Sequence, residues 1–194
     1  VRFKRVCVFC GSSSGVRPEY AAAAQALGRA FAEGGIETVY GGGRLGLMGA
    51  VADSALAAGG RVIGVMPQSL VDMEVAHSGL TELHIVGSMH ERKALMNSLC
   101  DAFAILPGGW GTMDELCEVL TWAQLQIHHK PVAVWNVLGY YDAFLAFGRH
   151  AVQEGLLKAK DHARLLVGNS LDELLAAMES FQAVHELVPA KLRD

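Results

Sequence analysis

The sequence predicts an α/β fold in which a doubly wound parallel sheet carries helices on both faces. Three observations predict it. Short runs rich in Val, Ile and Phe alternate with longer stretches of helical spacing, the runs are apolar throughout, and three of them end in glycine-rich turns. Regular alternation of strand and helix is the pattern of βαβ units, whose strands lie parallel in one sheet. A strand covered on both faces is continuously apolar, with no polar residue at every second position.

Taken in order, strands are expected at 6–10, 38–40, 62–66, 102–106, 132–135 and 165–167, and helices at 19–33, 48–58, 89–100, 113–126, 141–154 and 171–186. Pro18 stands where the first helix begins, and Gly34-Gly35 and Gly59-Gly60 stand where the first two end. Proline suits a first helical position, where its missing N–H has no partner to lose, and glycine adopts the left-handed conformation that closes a helix. Residues 69–87 show no clear period and are read as an irregular stretch at the rim of a pocket. No repeat, low-complexity tract or long polar linker divides the chain, so residues 1–194 are expected to form one domain. That length buries a core without the help of metals or disulfides.

A formal net charge of −4 supplies no broad basic field of the kind that nucleic-acid binding needs, although a local cationic site fits within it. The basic start, Val1-Arg2-Phe3-Lys4-Arg5, is followed by an apolar run too short for a signal-peptide core. No apolar stretch approaches the roughly 18 residues of a membrane span. A cytoplasmic location without membrane contact is therefore expected. Cys7, Cys10, Cys100 and Cys117 are expected as free thiols. Cys7 and Cys10 form a C-x-x-C, but residues three apart in a strand face opposite sides and no second ligand pair follows, so neither a metal nor a redox site is expected.

The glycine-rich turns are Gly11-Ser12-Ser13-Ser14-Gly15, Gly41-Gly42-Gly43-Arg44-Leu45-Gly46 and Pro107-Gly108-Gly109-Trp110-Gly111-Thr112. In open α/β sheets ligands bind beyond the carboxyl ends of the strands, where backbone N–H groups and helix N-termini hold an anion. Three such loops in one small domain point to a phosphorylated, nucleotide-like ligand. Gly41, Gly43 and Gly46 satisfy G-x-G-x-x-G, yet the motif follows the second strand and no acidic residue stands where a ribose 2′-OH would need it. No Gly-Lys-Ser/Thr is present either. NAD and ATP chemistry are both disfavoured, and no cofactor is called for.

Ser88 and Glu91 form a capping box that opens the fourth helix. Arg92 then precedes Leu95, Met96 and Leu99 by three, four and seven residues, which puts its guanidinium on the apolar face. A cation there requires a carboxylate or a ligand anion, or else it snorkels. Thr112 and Glu115 have capping-box spacing at the start of the next expected helix, so Glu115 is either a cap or a carboxylate aimed into the cleft.

At these residues the sequence resembles the LOG (Lonely Guy) family of cytokinin-activating phosphoribohydrolases. Pro107 to Glu115 match its Pro-Gly-Gly-x-Gly-Thr-x-x-Glu motif, Met89 to Lys93 match its Met-His-x-Arg-Lys, and Gly41-Gly42-Gly43 with Gly46-Leu47-Met48-Gly49 is also similar. The resemblance implies a Rossmann-like homodimer that hydrolyses the N-glycosidic bond of AMP or N6-modified AMP, leaving free base and ribose 5-phosphate. It implies Arg92 and Glu115 as the catalytic pair. Gly108, Gly109, Gly111 and Thr112 would hold the phosphate with Lys93 close by, and Gly11, Ser12, Gly42, Gly43, Met89 and Pro107 would also touch substrate. Glycosidic cleavage builds positive charge on the ribose, which a nearby carboxylate stabilises. Asp114, where family members often have Glu, keeps the charge but points about 100° away on a helix.

Three other readings compete. Lysine decarboxylation, a label this fold family has carried, is disfavoured because no lysine stands out as a Schiff-base former. A carrier of a phosphorylated ligand, such as molybdenum cofactor, needs the loops but not the Arg92 and Glu115 pair. A protein-binding module leaves the loops unexplained. His128-His129 is expected as a surface pair at a helix end, with no metal to bind. Trp122 and Trp135 are expected in the core or at a dimer contact, and Trp110 in the loop itself.

Overall fold

In the computed structural model, which describes residues 3–73 and 75–182, seven strands form one sheet in the order β4-β3-β2-β1-β5-β6-β7, with every pairing parallel. The strands are β1 (Arg5–Phe9), β2 (Glu37–Tyr40), β3 (Val62–Pro67), β4 (Glu82–Val86), β5 (Ala102–Ile105), β6 (Val132–Trp135) and β7 (Leu165–Gly168). The helices are α1 (Pro18–Glu33), α2 (Gly46–Ala57), α3 (Gln68–Val71), α4 (Met89–Leu99), α5 (Trp110–Gln124), α6 (Asp142–Gln153), α7 (Ala159–His162) and α8 (Leu171–Ser180).

Strand periodicity sorts the core into two layers. Val6, Val8 and Cys10 pack on one side with α1, α2 and α8, through Leu27, Phe31, Val51 and Leu174. Cys7 and Phe9 pack on the other side with Met96 of α4 and Leu116 and Val119 of α5. Cys7 and Cys10 thus lie on opposite faces, as alternation along a strand requires. Pro18 takes the first turn of α1, and Gly35 and Gly59 close the first two helices at positive φ.

Two expectations are corrected. The stretch 69–87 contains an edge strand, β4, paired on one side only. Its Glu82 and His84, joined at 2.8 Å, break the apolar run, since an edge strand carries polar residues that a central strand excludes. The last helix ends at Ser180, with Phe181 already extended. Residues 183–186 of the helix expected to reach 186 lie outside the described residues.

Strand order reverses between β1 and β5, and this places a crevice where the β1 and β5 loops diverge. The β1 loop is locked to α2: the Gly11 carbonyl accepts from the Leu47 and Met48 N–H groups at 3.0 and 3.3 Å. Gly46 has φ +61°, and a Cβ there would overlap the Ser12 and Ser13 backbone. Gly46→Ala is therefore expected to cost about 2 kcal/mol or more, the sum of left-handed strain and a clash with unyielding backbone. Thermal denaturation measures it, and an unchanged melting temperature would show that the two loops are free to separate.

Candidate functional site

The crevice is a cleft of about 480 Å³ lined from four directions: Gly11 and Ser12 after β1, Gly41 and Gly43 after β2, Met89 and Arg92 of α4, and, at the start of α5, Gly109 to Thr112 with Glu115 and also Asp114, which was expected to point away. Its volume lies in the range of small-molecule sites. Leu70 and Val75 complete the rim, as expected for the 69–87 stretch, and Trp110 stands beside the opening, 92% exposed.

α5 begins three residues earlier than its sequence suggests. Its N-cap is Gly109, and no side chain caps it. Thr112 and Glu115 therefore lie within the helix, and the capping reading of Glu115 falls. The first-turn amides of an α-helix have no intrahelical acceptor and carry the positive end of its dipole, so this uncapped end is suited to an anion. The Ser88 cap does form, with the Glu91 N–H donating to Ser88 Oγ at 3.1 Å, while Glu91 Oε2 accepts from the Gly87 N–H, one residue before the cap, at 2.8 Å.

That cap aims the first turns of α4 across the ends of β2 and β3. Arg92, only 8% exposed, donates from Nε to the Val65 carbonyl at 3.0 Å and from Nη2 to the Gly41 carbonyl at 3.2 Å. A Cβ at Gly41 would fall on the guanidinium. Nη1 faces Glu115 Oε1 at 3.7 Å. Glu115 is 9% exposed, and burial raises its pKa to about 7, opposed by Arg92 and reinforced by Asp114. The site thus holds a fixed cation beside a carboxyl group poised to exchange a proton near neutrality, a combination typical of functional sites.

The other expected residues divide. Gly11, Ser12, Gly43, Met89, Gly109, Gly111 and Thr112 line the cleft together with Arg92 and Glu115. Gly42, Pro107 and Gly108 are not among the lining residues. Lys93 does not reach the cleft. Its ammonium is buried between Asp114 Oδ2 at 3.0 Å and Glu118 Oε1 at 3.1 Å. Burial alone would lower its pKa, but the two carboxylates outweigh it and raise it. Among the described residues no lysine lines the cleft. Sequence reasoning missed Met48, Met66 and Cys10 in the wall. Burial pushes the Cys10 thiol well above its ordinary range, so it is no thiolate nucleophile.

His128 is not at the surface. It is buried, with Nε2 2.9 Å from the Val119 carbonyl and Nδ1 accepting from the Lys130 N–H. Burial lowers its pKa to about 4, so it is neutral. Trp135 lies in the core as expected, and Trp122 is half-buried.

Comparison with known proteins fixes the kinship of this site. The family model described as "Possible lysine decarboxylase" matches residues 48–178. The cytokinin riboside 5'-monophosphate phosphoribohydrolase LOG7 of Arabidopsis thaliana is 44% identical over 98% of this chain and 88% of its own. The corresponding LOG enzyme of Oryza sativa subsp. japonica is 47% identical over 96% of this chain and 77% of its own.

The chain belongs to the LOG family.

Among solved structures, the molybdenum cofactor carrier protein of Chlamydomonas reinhardtii superposes with a TM-score of 0.69 at 21% identity, covering 92% of this chain and 97% of that one. The molybdenum cofactor binding protein of Rippkaea orientalis gives 0.69 at 18%, covering 93% and 98%. These likenesses show that this chain shares the Rossmann-like fold of those two proteins. Within that shared frame, this LOG chain sets Glu115 beside Arg92 in the cleft.

Proposed function

We propose that this chain is a phosphoribohydrolase that cleaves the N-glycosidic bond of AMP or N6-modified AMP, such as a cytokinin riboside 5'-monophosphate, to free base and ribose 5-phosphate. The observation that carries the reading is the buried Glu115 beside Arg92, one turn inside the uncapped start of α5, in a chain close to enzymes bearing that name. A carrier has no need of such a carboxyl group.

In this reading the 5'-phosphate sits on the Gly109, Gly111 and Thr112 end of α5, and Arg92 steadies the phosphate and ribose. The ionised Glu115 faces the anomeric carbon, where positive charge grows as the bond to the base breaks. Water adds to that carbon and passes a proton to Glu115. The departing base nitrogen needs one proton in return, and a carboxyl group with pKa near 7 can release it. The Lys93 pairs with Asp114 and Glu118 tie α4 to α5 and so hold the Arg92 and Glu115 geometry. The same reading takes residues 1–194 as one nucleotide-binding domain that works as a cytoplasmic homodimer. The exposed apolar side chains Leu125, Ile127 and Phe147 give a second copy something to cover, and no described helix is long and apolar enough to cross a membrane.

Incubation with AMP and with N6-isopentenyl-AMP, followed by chromatography, tests the proposal. Free base and ribose 5-phosphate are expected in equal amounts, at a rate that rises with pH through about 7 as Glu115 ionises. Binding of both nucleotides without base release would exclude hydrolysis of these substrates and favour a carrier.

A further inference from the structure

Four successive carbonyls of the β5 loop are engaged by protein donors. Leu106 O accepts from the Tyr141 hydroxyl at 2.7 Å, and Gly108 O accepts from the Tyr140 hydroxyl at 2.5 Å. Pro107 O accepts from the Gly11 N–H and Gly109 O from the Met113 N–H, both at 3.0 Å. In a trans peptide the N–H points opposite to the carbonyl of the same unit, and the described chain has no cis bonds. The Tyr140 bond therefore fixes the direction of the Gly109 N–H. Tyr140 is not part of the cleft lining, whereas Gly109 is, so the hydroxyl pulls the carbonyl away from the cleft and turns the amide toward it.

The turn that presents Tyr140 is built at a cost. Leu138 has φ +52° and Gly139 φ +73°, and a non-glycine residue in that region stores about 1 kcal/mol or more of strain. Asn136 holds the turn closed: its Oδ1 accepts from the Tyr141 N–H at 2.7 Å, and its Nδ2 donates to Asp142 Oδ1 at 2.8 Å. The Tyr140 ring is seated edge-on against Tyr20 and Tyr141, with centroids 5.6 and 5.1 Å away. Strain of this kind persists where the surroundings over-determine it, and here its product is one hydroxyl aimed at one carbonyl.

We propose that Tyr140 is a positioning residue for the anion site, whose hydroxyl orients and polarises the Gly108–Gly109 peptide so that the Gly109 amide donates to the 5'-phosphate of the substrate. This rests on the phosphoribohydrolase reading for the identity of the anion. A hydrogen bond accepted at a carbonyl strengthens the donor at the other end of the same peptide unit, so Tyr140 contributes without touching the ligand.

The test is Tyr140→Phe, which removes the hydroxyl and keeps the ring; the residue is 41% exposed, so the fold is expected to tolerate the change. Calorimetric titration with ribose 5-phosphate is expected to show affinity about tenfold weaker than wild type, and KM for AMP about tenfold higher, with kcat changed less than about threefold and the melting temperature unmoved. A general loosening of the turn would instead lower kcat and the melting temperature together, and that result overturns the proposal, as do affinity and KM within twofold of wild type. If the wild type binds ribose 5-phosphate but releases no base from either nucleotide, the hydrolase reading fails, while the affinity ratio of the two proteins still decides the role of Tyr140. If the wild type binds no ribose 5-phosphate, the anion-site proposal falls, while base release from AMP still decides the hydrolase reading.

Discussion

Glu115→Gln should reduce base release by about a thousandfold, the scale expected for a group that both stabilises a transition state and moves a proton, and should also make the protein harder to unfold above pH 7. Burial raises the Glu115 pKa from 4.5 to about 7. Between those values the native protein holds a proton that the unfolded chain has released. Stability therefore falls as pH rises through this window, and the full penalty, about 3 kcal/mol, is present above it. Glutamine has the same shape and no charge to desolvate. Urea unfolding at pH 8 should show the variant more stable by up to that amount, with the difference vanishing near pH 4.5. A variant less stable than wild type at pH 8 would mean that the Arg92 contact outweighs burial and that Glu115 is a structural ion pair.

Arg92→Ala is expected to be costly in both respects. It leaves the Val65 and Gly41 carbonyls without their donor and leaves Glu115 buried without the cation that opposes its rise in pKa. Each buried carbonyl left without its donor costs about 1–3 kcal/mol, and urea unfolding at pH 7 measures the loss. The rising limb of the pH–rate profile should move upward, because Glu115 loses the charge that favours its ionised form. Arg92→Lys should not restore activity, since one ammonium does not reproduce the fork that spans two strands and faces a carboxylate. An unshifted pH limb in Arg92→Ala would show that the 3.7 Å approach carries no electrostatic weight.

Central strands such as β5 and β6 were legible in the sequence because burial on both faces favours apolar residues; they read directly as Ala-Phe-Ala-Ile and Val-Ala-Val-Trp. β4 was not, because Glu-Leu-His-Ile-Val belongs to an edge, where exposure and apolarity mix. The start of α5 was hidden by composition: Trp110-Gly111-Thr112 reads as loop, since glycine disfavours helix, yet these residues form its first turn. That shift of three positions decides whether Glu115 caps a helix or faces the cleft. Arg92 on an apolar face was visible from spacing. The capture of Lys93 by Asp114 and Glu118 was not, because partners on another helix leave no local periodicity. His128 was misread for the same reason: its acceptor, the Val119 carbonyl, is fixed by how the chain turns back after α5.

The place of β1 at the centre of the sheet has a consequence for how the chain reaches its folded state. Val6 pairs with Thr38 on one side and with Ala102 on the other. The first contact closes a short segment, whereas the second closes a loop that contains β2, β3, β4 and four helices. Loop-closure entropy makes such a contact slow relative to local ones, and until it forms one apolar flank of β1 stays open to other chains. The cleft needs both flanks, since Gly11 lies in the loop after β1 and Thr112 in the helix after β5. Recovery of ligand binding after denaturation therefore reports this closure, and crowded refolding is most hazardous just before it.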